Sequence, residues 1–118
     1  MKVLLVDDEE EFVTALTERF LLRGIDADCV TSGIDAVRVA QEIKYDVVVV
    51  DIKMPQLCGL DVMETIRKED PNVKFIFMTG HSSEDSLRAC KEAGACDYLI
   101  KPVKIEVLIE KVLEAAQQ

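Results

Sequence analysis

Several things are scarce in this chain, and each scarcity removes a class of function. There is one histidine and four cysteines (Cys29, Cys58, Cys90, Cys96) with no C-x-x-C pair, which argues against a structural zinc site, and the thiols read as small buried hydrophobes in a reducing cytoplasm. No apolar stretch approaches the length of a membrane span, and the opening run Val3-Leu4-Leu5-Val6 stops at Asp7, too short for a signal peptide. Pro and Gly are few and no segment is of low complexity, which argues against disorder. Positive charge is the smaller share: 14 Lys and Arg against 23 Asp and Glu leave a net charge of -9. Neither nucleic acid nor an anionic membrane is then expected as a direct partner, since both require a cationic footprint. No G-x-x-x-x-G-K-[ST] loop occurs, which removes the P-loop nucleotide enzymes.

What is present is an apolar fraction of 49% in 118 residues, enough for one domain with its own core. Three short apolar runs, Val3 to Val6, Val47 to Val50 and Phe75 to Met78, suit strands covered on both faces of a parallel sheet. Two alternating runs, Ile25 to Val30 and Cys96 to Ile100, suit edge strands that meet water.

Helical patterns fill the intervals. Glu10 to Arg23 carries Phe12, Leu16, Phe20 and Leu21 on one stripe and ends at Gly24. Ser32 to Lys44 starts on a capping serine and carries Ile34, Val37, Val39, Ala40 and Ile43. Gly59 to Glu69 stops before Pro71, Ser83 to Ala93 stops at Gly94, and Val103 to Ala116 displays Val107, Leu108, Val112 and Leu113.

Five strands alternating with five helices predict an α/β doubly wound parallel sheet with right-handed crossovers. The edge character of strands two and five selects the order 2-1-3-4-5, the flavodoxin-like arrangement, over residues 1–118 as one domain. In such sheets ligands gather at the carboxyl ends of the strands, near the switch between strands one and three. Asp7 and Asp8 follow strand one, Asp51 strand three, Thr79 strand four and Lys101 strand five. Any one of these residues by itself marks only a turn. Together they bring three carboxylates, a hydroxyl and an ammonium to one rim. Three close carboxylates repel unless a cation intervenes, and a hard divalent ion such as Mg²⁺ suits oxygen ligands. A carboxylate there can act as nucleophile on phosphorus, with Lys101 and the ion balancing phosphoryl charge.

The segments Leu5-Val6-Asp7-Asp8-Glu9, Val50-Asp51-Ile52-Lys53-Met54-Pro55, Met78-Thr79-Gly80-His81 and Tyr98-Leu99-Ile100-Lys101-Pro102 resemble the receiver domain of bacterial two-component response regulators, in order and over essentially the whole chain. The resemblance implies that Asp51 is the phosphoacceptor. It implies that Asp8, Asp51 and the Lys53 backbone carbonyl ligate Mg²⁺, with Asp7 helping mainly through water. Thr79 and Tyr98 become the switch pair, Lys101 contacts the phosphoryl group, and the Lys101-Pro102 bond is cis. The side chains of Lys53 and His81 flank the pocket and either tune phosphoryl lifetime or lie in solvent. Glu9 and Glu10 favour the first turn of helix one, and Glu9 also comes within reach of the ion through water.

The implied function is a phosphorylation-dependent switch rather than an enzyme acting on outside substrates. Its implied partners are a sensor histidine kinase or phosphotransfer protein, and an output domain or effector reached through helix four, strand five and helix five, a face that also serves a homodimer. Whether the chain stands alone or belongs to a longer protein stays open. A flavodoxin-type flavin carrier would need a phosphate loop where Asp7-Asp8-Glu9-Glu10 stands, and a haloacid-dehalogenase-type hydrolase would need an Asp where Lys53 stands. A non-phosphorylated receiver acting as an interaction module is the alternative.

Overall fold

The computed structural model describes residues 1–80 and 84–118. The elements are β1 (Lys2–Val6), α1 (Glu10–Leu22), β2 (Asp26–Val30), α2 (Gly33–Glu42), β3 (Val47–Asp51), α3 (Gly59–Glu69), β4 (Lys74–Thr79), α4 (Glu84–Glu92), β5 (Asp97–Ile100) and α5 (Ile105–Ala116). The strands form one parallel sheet in the order β2-β1-β3-β4-β5, as the apolar and alternating runs predict.

The sheet is the middle of three layers, and the alternation of side chains along each strand builds two cores. Val3, Leu5, Val47, Val49, Ile76 and Met78 face α1 and α5, where they pack with Val13, Leu16, Phe20, Leu108 and Val112. Leu4, Val6, Val48, Val50, Phe75 and Phe77 face the other way, onto Ala36 of α2, Val62, Met63 and Ile66 of α3, and Cys90 of α4. The β1, β3 and β4 residues in these two sets are fully buried, each contributing about 1.5–3 kcal/mol on leaving water. The edge strands β2 and β5 keep mixed exposure because each lacks a neighbour on one side.

Helix ends follow local chemistry. Ser32 caps α2 by accepting from the Asp35 amide at 3.1 Å. Gly24 takes φ +77° after α1, where the Ile25 amide reaches back to the Phe20 carbonyl at 3.0 Å. Two predicted boundaries move by two residues. The Ile43 backbone is extended, so α2 ends at Glu42 to let the chain return toward β3. Val103 packs against the α1/α5 core ahead of the helix, and the extended Lys104 precedes its first turn, so α5 starts at Ile105. Helix α4 is assigned from Glu84, and the predicted start at Ser83 lies outside the described residues.

Five predicted stripe residues are exposed instead: Leu21, Ile34, Ile43, Val107 and Leu113. In α1 the buried stripe is Val13, Leu16, Thr17 and Phe20, one helical face at spacings of three and four. Thr17 joins it because its hydroxyl donates to the Val13 carbonyl at 2.7 Å, which makes a polar side chain tolerable inside. No helix among the described residues is long and apolar enough to cross a membrane.

Candidate functional site

Register decides which polar groups meet at the carboxyl rim. Val6 of β1 pairs with Val50 of β3, so the next residue on each strand lies side by side beyond the ladder. Those residues are Asp7 and Asp51, and both continue the columns that face α1 and α5. Both are buried, whereas Asp8 is exposed.

The two buried carboxylates are held in the same way. Asp7 Oδ1 accepts from the Glu9 amide at 2.9 Å, and Asp51 Oδ1 accepts from the Lys53 amide at 3.0 Å. Each is an Asx turn, formed because the chain leaves the strand and needs a local acceptor for its second amide. The free oxygens then converge on one ammonium. Lys101 Nζ donates to Asp7 Oδ2 at 2.6 Å and to Asp51 Oδ2 at 3.1 Å. A third contact reaches Glu9 Oε1 at 3.0 Å, and the Phe12 ring centroid lies 4.8 Å from Nζ.

Lys101 is brought there by the sheet. Its amide donates to the Thr79 carbonyl at 2.8 Å, extending the β4–β5 pairing by one residue, and the Lys101–Pro102 peptide is cis. Burial works against the charge of the ammonium, but the hydrogen bonds it donates to Asp7, Glu9 and Asp51 outweigh that and hold Lys101 above its ordinary value. Burial raises Asp7 above the usual carboxylate range, an effect that Lys101 and the Glu9 amide offset only in part.

Oxygens of Asp7, Asp8 and Asp51 all lie within 4.8 Å of one another. One ammonium does not balance three carboxylates and Glu9, so the donor set is an all-oxygen, electron-rich cluster with an exposed member through which an ion can enter. That chemistry fits Mg²⁺, which prefers hard oxygen ligands and keeps part of its water shell.

The other predicted site residues lie on neighbouring elements. Thr79 is buried at the end of β4, but the alternation that sends Phe75 and Phe77 toward α2, α3 and α4 sends it to that face as well. Tyr98 of β5 pairs in register with Phe77 and packs on the same core, one alternation short of Thr79's partner Ile100. The pair therefore lies toward α4, while Asp7, Asp51 and Lys101 lie toward α1. Lys53 exposes its side chain at the rim. His81 lies outside the described residues.

Two contributors escape the sequence reading. Glu9 meets Lys101 directly, although its place beside Asp7 and Asp8 suggests only a helix-start or water-mediated role. Gly59 looks like an ordinary helix start. A Cβ on it would stand 2.6 Å from the Asp51 carbonyl oxygen and 3.0 Å from Ile52 Cα, so only glycine lets α3 begin against the Asp51 backbone. Its position eight residues after Asp51, just ahead of an apolar helix, was the available signal.

Comparison with known proteins agrees with this fold. The family model of the response regulator receiver domain matches residues 3–113. The transcriptional regulatory protein PrrA of Mycobacterium leprae is 36% identical over 111 residues, covering 94% of this chain and 48% of PrrA. The regulatory protein AtoC of Escherichia coli is 31% identical over 116 residues, covering 98% of this chain and 25% of AtoC. The chain thus spans about half or less of the length of these curated relatives. Among solved structures, a response regulator receiver domain protein from Clostridium thermocellum superposes with a TM-score of 0.91 at 30% identity, covering 98% of this chain and 94% of that one.

Proposed function

The chain belongs to the response regulator receiver domain family, and from that premise we propose that Asp51 is its phosphoacceptor in a magnesium-dependent signalling switch. The observation that carries the reading is the Lys101 ammonium held between the free oxygens of Asp7 and Asp51, with Asp8 alongside. A lysine shared by two buried carboxylates at a strand-end rim is a charge arrangement suited to an incoming phosphoryl group.

In the proposed reaction a carboxylate oxygen of Asp51 attacks phosphorus. The bond from phosphorus to the donor's nitrogen or oxygen breaks, and its electron pair leaves with the donor. The Lys53 amide holds Asp51 in orientation through Oδ1, and Lys101 follows the charge onto the phosphoryl oxygens. Asp8, Asp51 and the Lys53 carbonyl would hold Mg²⁺, with Asp7 acting mainly through water, and the ion supplies divalent positive charge against the transferring group. The domain assists only its own phosphorylation and slow dephosphorylation. The exposed Lys53 side chain, together with His81, is assigned to tuning phosphoryl lifetime.

The signal then passes to the other face of the sheet. Thr79 of β4 and Tyr98 of β5 shift population toward one of two preexisting arrangements of α4, β5 and α5 when Asp51 is phosphorylated. Ile100 and Val107 are exposed on β5 and α5, consistent with a contact surface for an effector, an output domain or a second copy. The proposed donor is a sensor histidine kinase or phosphotransfer protein in the cytoplasm, and residues 1–118 act as one receiver unit.

The test is intact mass after incubation with Mg²⁺ and acetyl phosphate or phosphoramidate. The wild-type chain is expected to gain one phosphoryl group, and Asp51→Asn or excess EDTA to abolish the gain. A wild-type chain that stays unmodified overturns the switch and leaves the interaction-module reading in its place.

A further inference from the structure

Lys101 has a neighbour that carboxylate chemistry does not explain. Phe12, in the first turn of α1, sets its ring centroid 4.8 Å from Nζ, inside the range where an aromatic face attracts a cation. We propose that Phe12 is a positioning residue for Lys101, its ring forming part of the shell that keeps the ammonium at Asp51. The inference rests on Asp51 being the phosphoacceptor and adds to it a residue outside the polar cluster.

Lysine carries its charge on a long flexible stem, and its ammonium is strongly hydrated, so it leaves for water unless the site surrounds it. Of the three carboxylates around Nζ, the Glu9 side chain is 65% exposed and is a weak tether. Asp51 is the group that changes chemically when phosphorylated. That leaves Asp7 as the one buried carboxylate whose contact outlasts the reaction.

Phe12 is a second lasting contact. Its ring packs against the α1/α5 core, and α1 is fixed to the sheet by the fully buried Val13 and Phe20. An aromatic face attracts a cation without a single preferred hydrogen-bond direction. The ammonium can therefore shift from the Asp51 carboxylate to phosphoryl oxygens without losing this contact. A leucine at position 12 would fill a similar place in the core and would lack the face.

The test compares Phe12→Leu and Phe12→Tyr with the wild-type chain in two ways. First, in ¹³C-lysine-labelled protein without any phosphodonor, the Lys101 ε-methylene protons are expected upfield of the other lysines through the ring current. Their assignment comes from their loss in Lys101→Met. The shift should persist in Phe12→Tyr and vanish in Phe12→Leu. Second, phosphorylation by acetyl phosphate with Mg²⁺, followed by intact mass, should slow roughly two- to fivefold in Phe12→Leu and hold its rate in Phe12→Tyr, the size of an exposed to partly buried cation–π contact. Thermal melts establish that both variants are folded.

An unshifted Lys101 in the wild type overturns the proposal. So does a folded Phe12→Leu that is phosphorylated as fast as wild type, or a loss of rate shared equally by Phe12→Tyr, which marks a packing effect. If the wild-type chain accepts no phosphate at all, the Asp51 reading falls, and the ring-current comparison alone decides whether Phe12 positions Lys101.

Discussion

Replacing Lys101 with methionine keeps an unbranched apolar stem and removes the ammonium, with its charge and its hydrogen-bond donors. The ammonium lies within 3.1 Å of Asp7, Glu9 and Asp51. The side chains of Lys101, Asp7 and Asp51 are 13%, 0% and 8% exposed, so water cannot replace the lost cation at the two buried carboxylates. Removing one partner of a buried ion pair costs about 3–5 kcal/mol. The lower end applies, because Asp8 and Glu9 open one side of the cluster to solvent and the Glu9 contact itself is worth little. In a domain of this size about 1 kcal/mol moves the thermal midpoint by about 4 °C, so the variant should melt about 12 °C lower in EDTA. Saturating Mg²⁺ supplies positive charge to the same oxygens, so it should raise the midpoint of the variant by more than that of the wild type. Circular dichroism melts of both proteins, with EDTA and with Mg²⁺, measure the four midpoints. A loss below about 4 °C in EDTA, or an equal response to Mg²⁺, refutes the charge balance argued for this site.

Three further outcomes follow from named contacts. Asp7 sits above its ordinary value of 3.8 through burial, so the folded chain holds its proton more tightly than the unfolded chain. Its stabilising contribution is full below 3.8 and is lost as pH rises through the folded value, so metal-free Asp7→Asn should flatten the stability profile in the window opening upward from 3.8; urea midpoints that keep the wild-type pH slope would contradict this. Gly59→Ala forces a Cβ to within 2.6 Å of the Asp51 carbonyl, and overpacking against backbone should cost about 1–3 kcal/mol and slow phosphorylation of Asp51, whereas a wild-type melt and rate would show that α3 can shift freely. Arg67 donates to the Ala93 and Gly94 carbonyls at 2.7 and 2.9 Å and lies over Phe75, tying α3 to the end of α4. Arg67→Met should speed hydrogen exchange at the α4 C-terminus while leaving α1 and α5 protected, since Cys90 is the only buried residue of α4 among those described; uniform protection would refute the tie.

Much of this molecule is legible in its sequence. Continuous Val, Leu, Ile and Phe runs belong to strands buried on both faces, and alternating ones to edges, so strand order followed from hydrophobicity alone. Polar residues placed just after those runs had to emerge at one rim, because all the strands are parallel. This is why Asp7, Asp8, Asp51, Thr79 and Lys101 could be named together. The family resemblance, carried by the same segments, agreed with the receiver match.

Tertiary structure decided what depends on register and on side-chain direction. The Val6–Val50 pairing sets Asp7 beside Asp51, and register sets Tyr98 beside Phe77, on the strand face opposite to that of Asp51. A string of apolar letters carries no such handedness. The buried helix stripes depart from the apolar pattern where hydrophobicity and packing diverge: Leu21 faces water while Thr17 is buried, because a hydroxyl bonded to its own helix enters a core cheaply. Glu9, Phe12, Gly59 and Arg67 acquire their contacts only once distant elements meet. The sequence by itself determined which groups reach the rim, since that depends on local patterning. The fold alone decided which of them touch Lys101, since a 2.6 Å contact between residues 7 and 101 is a property of packing.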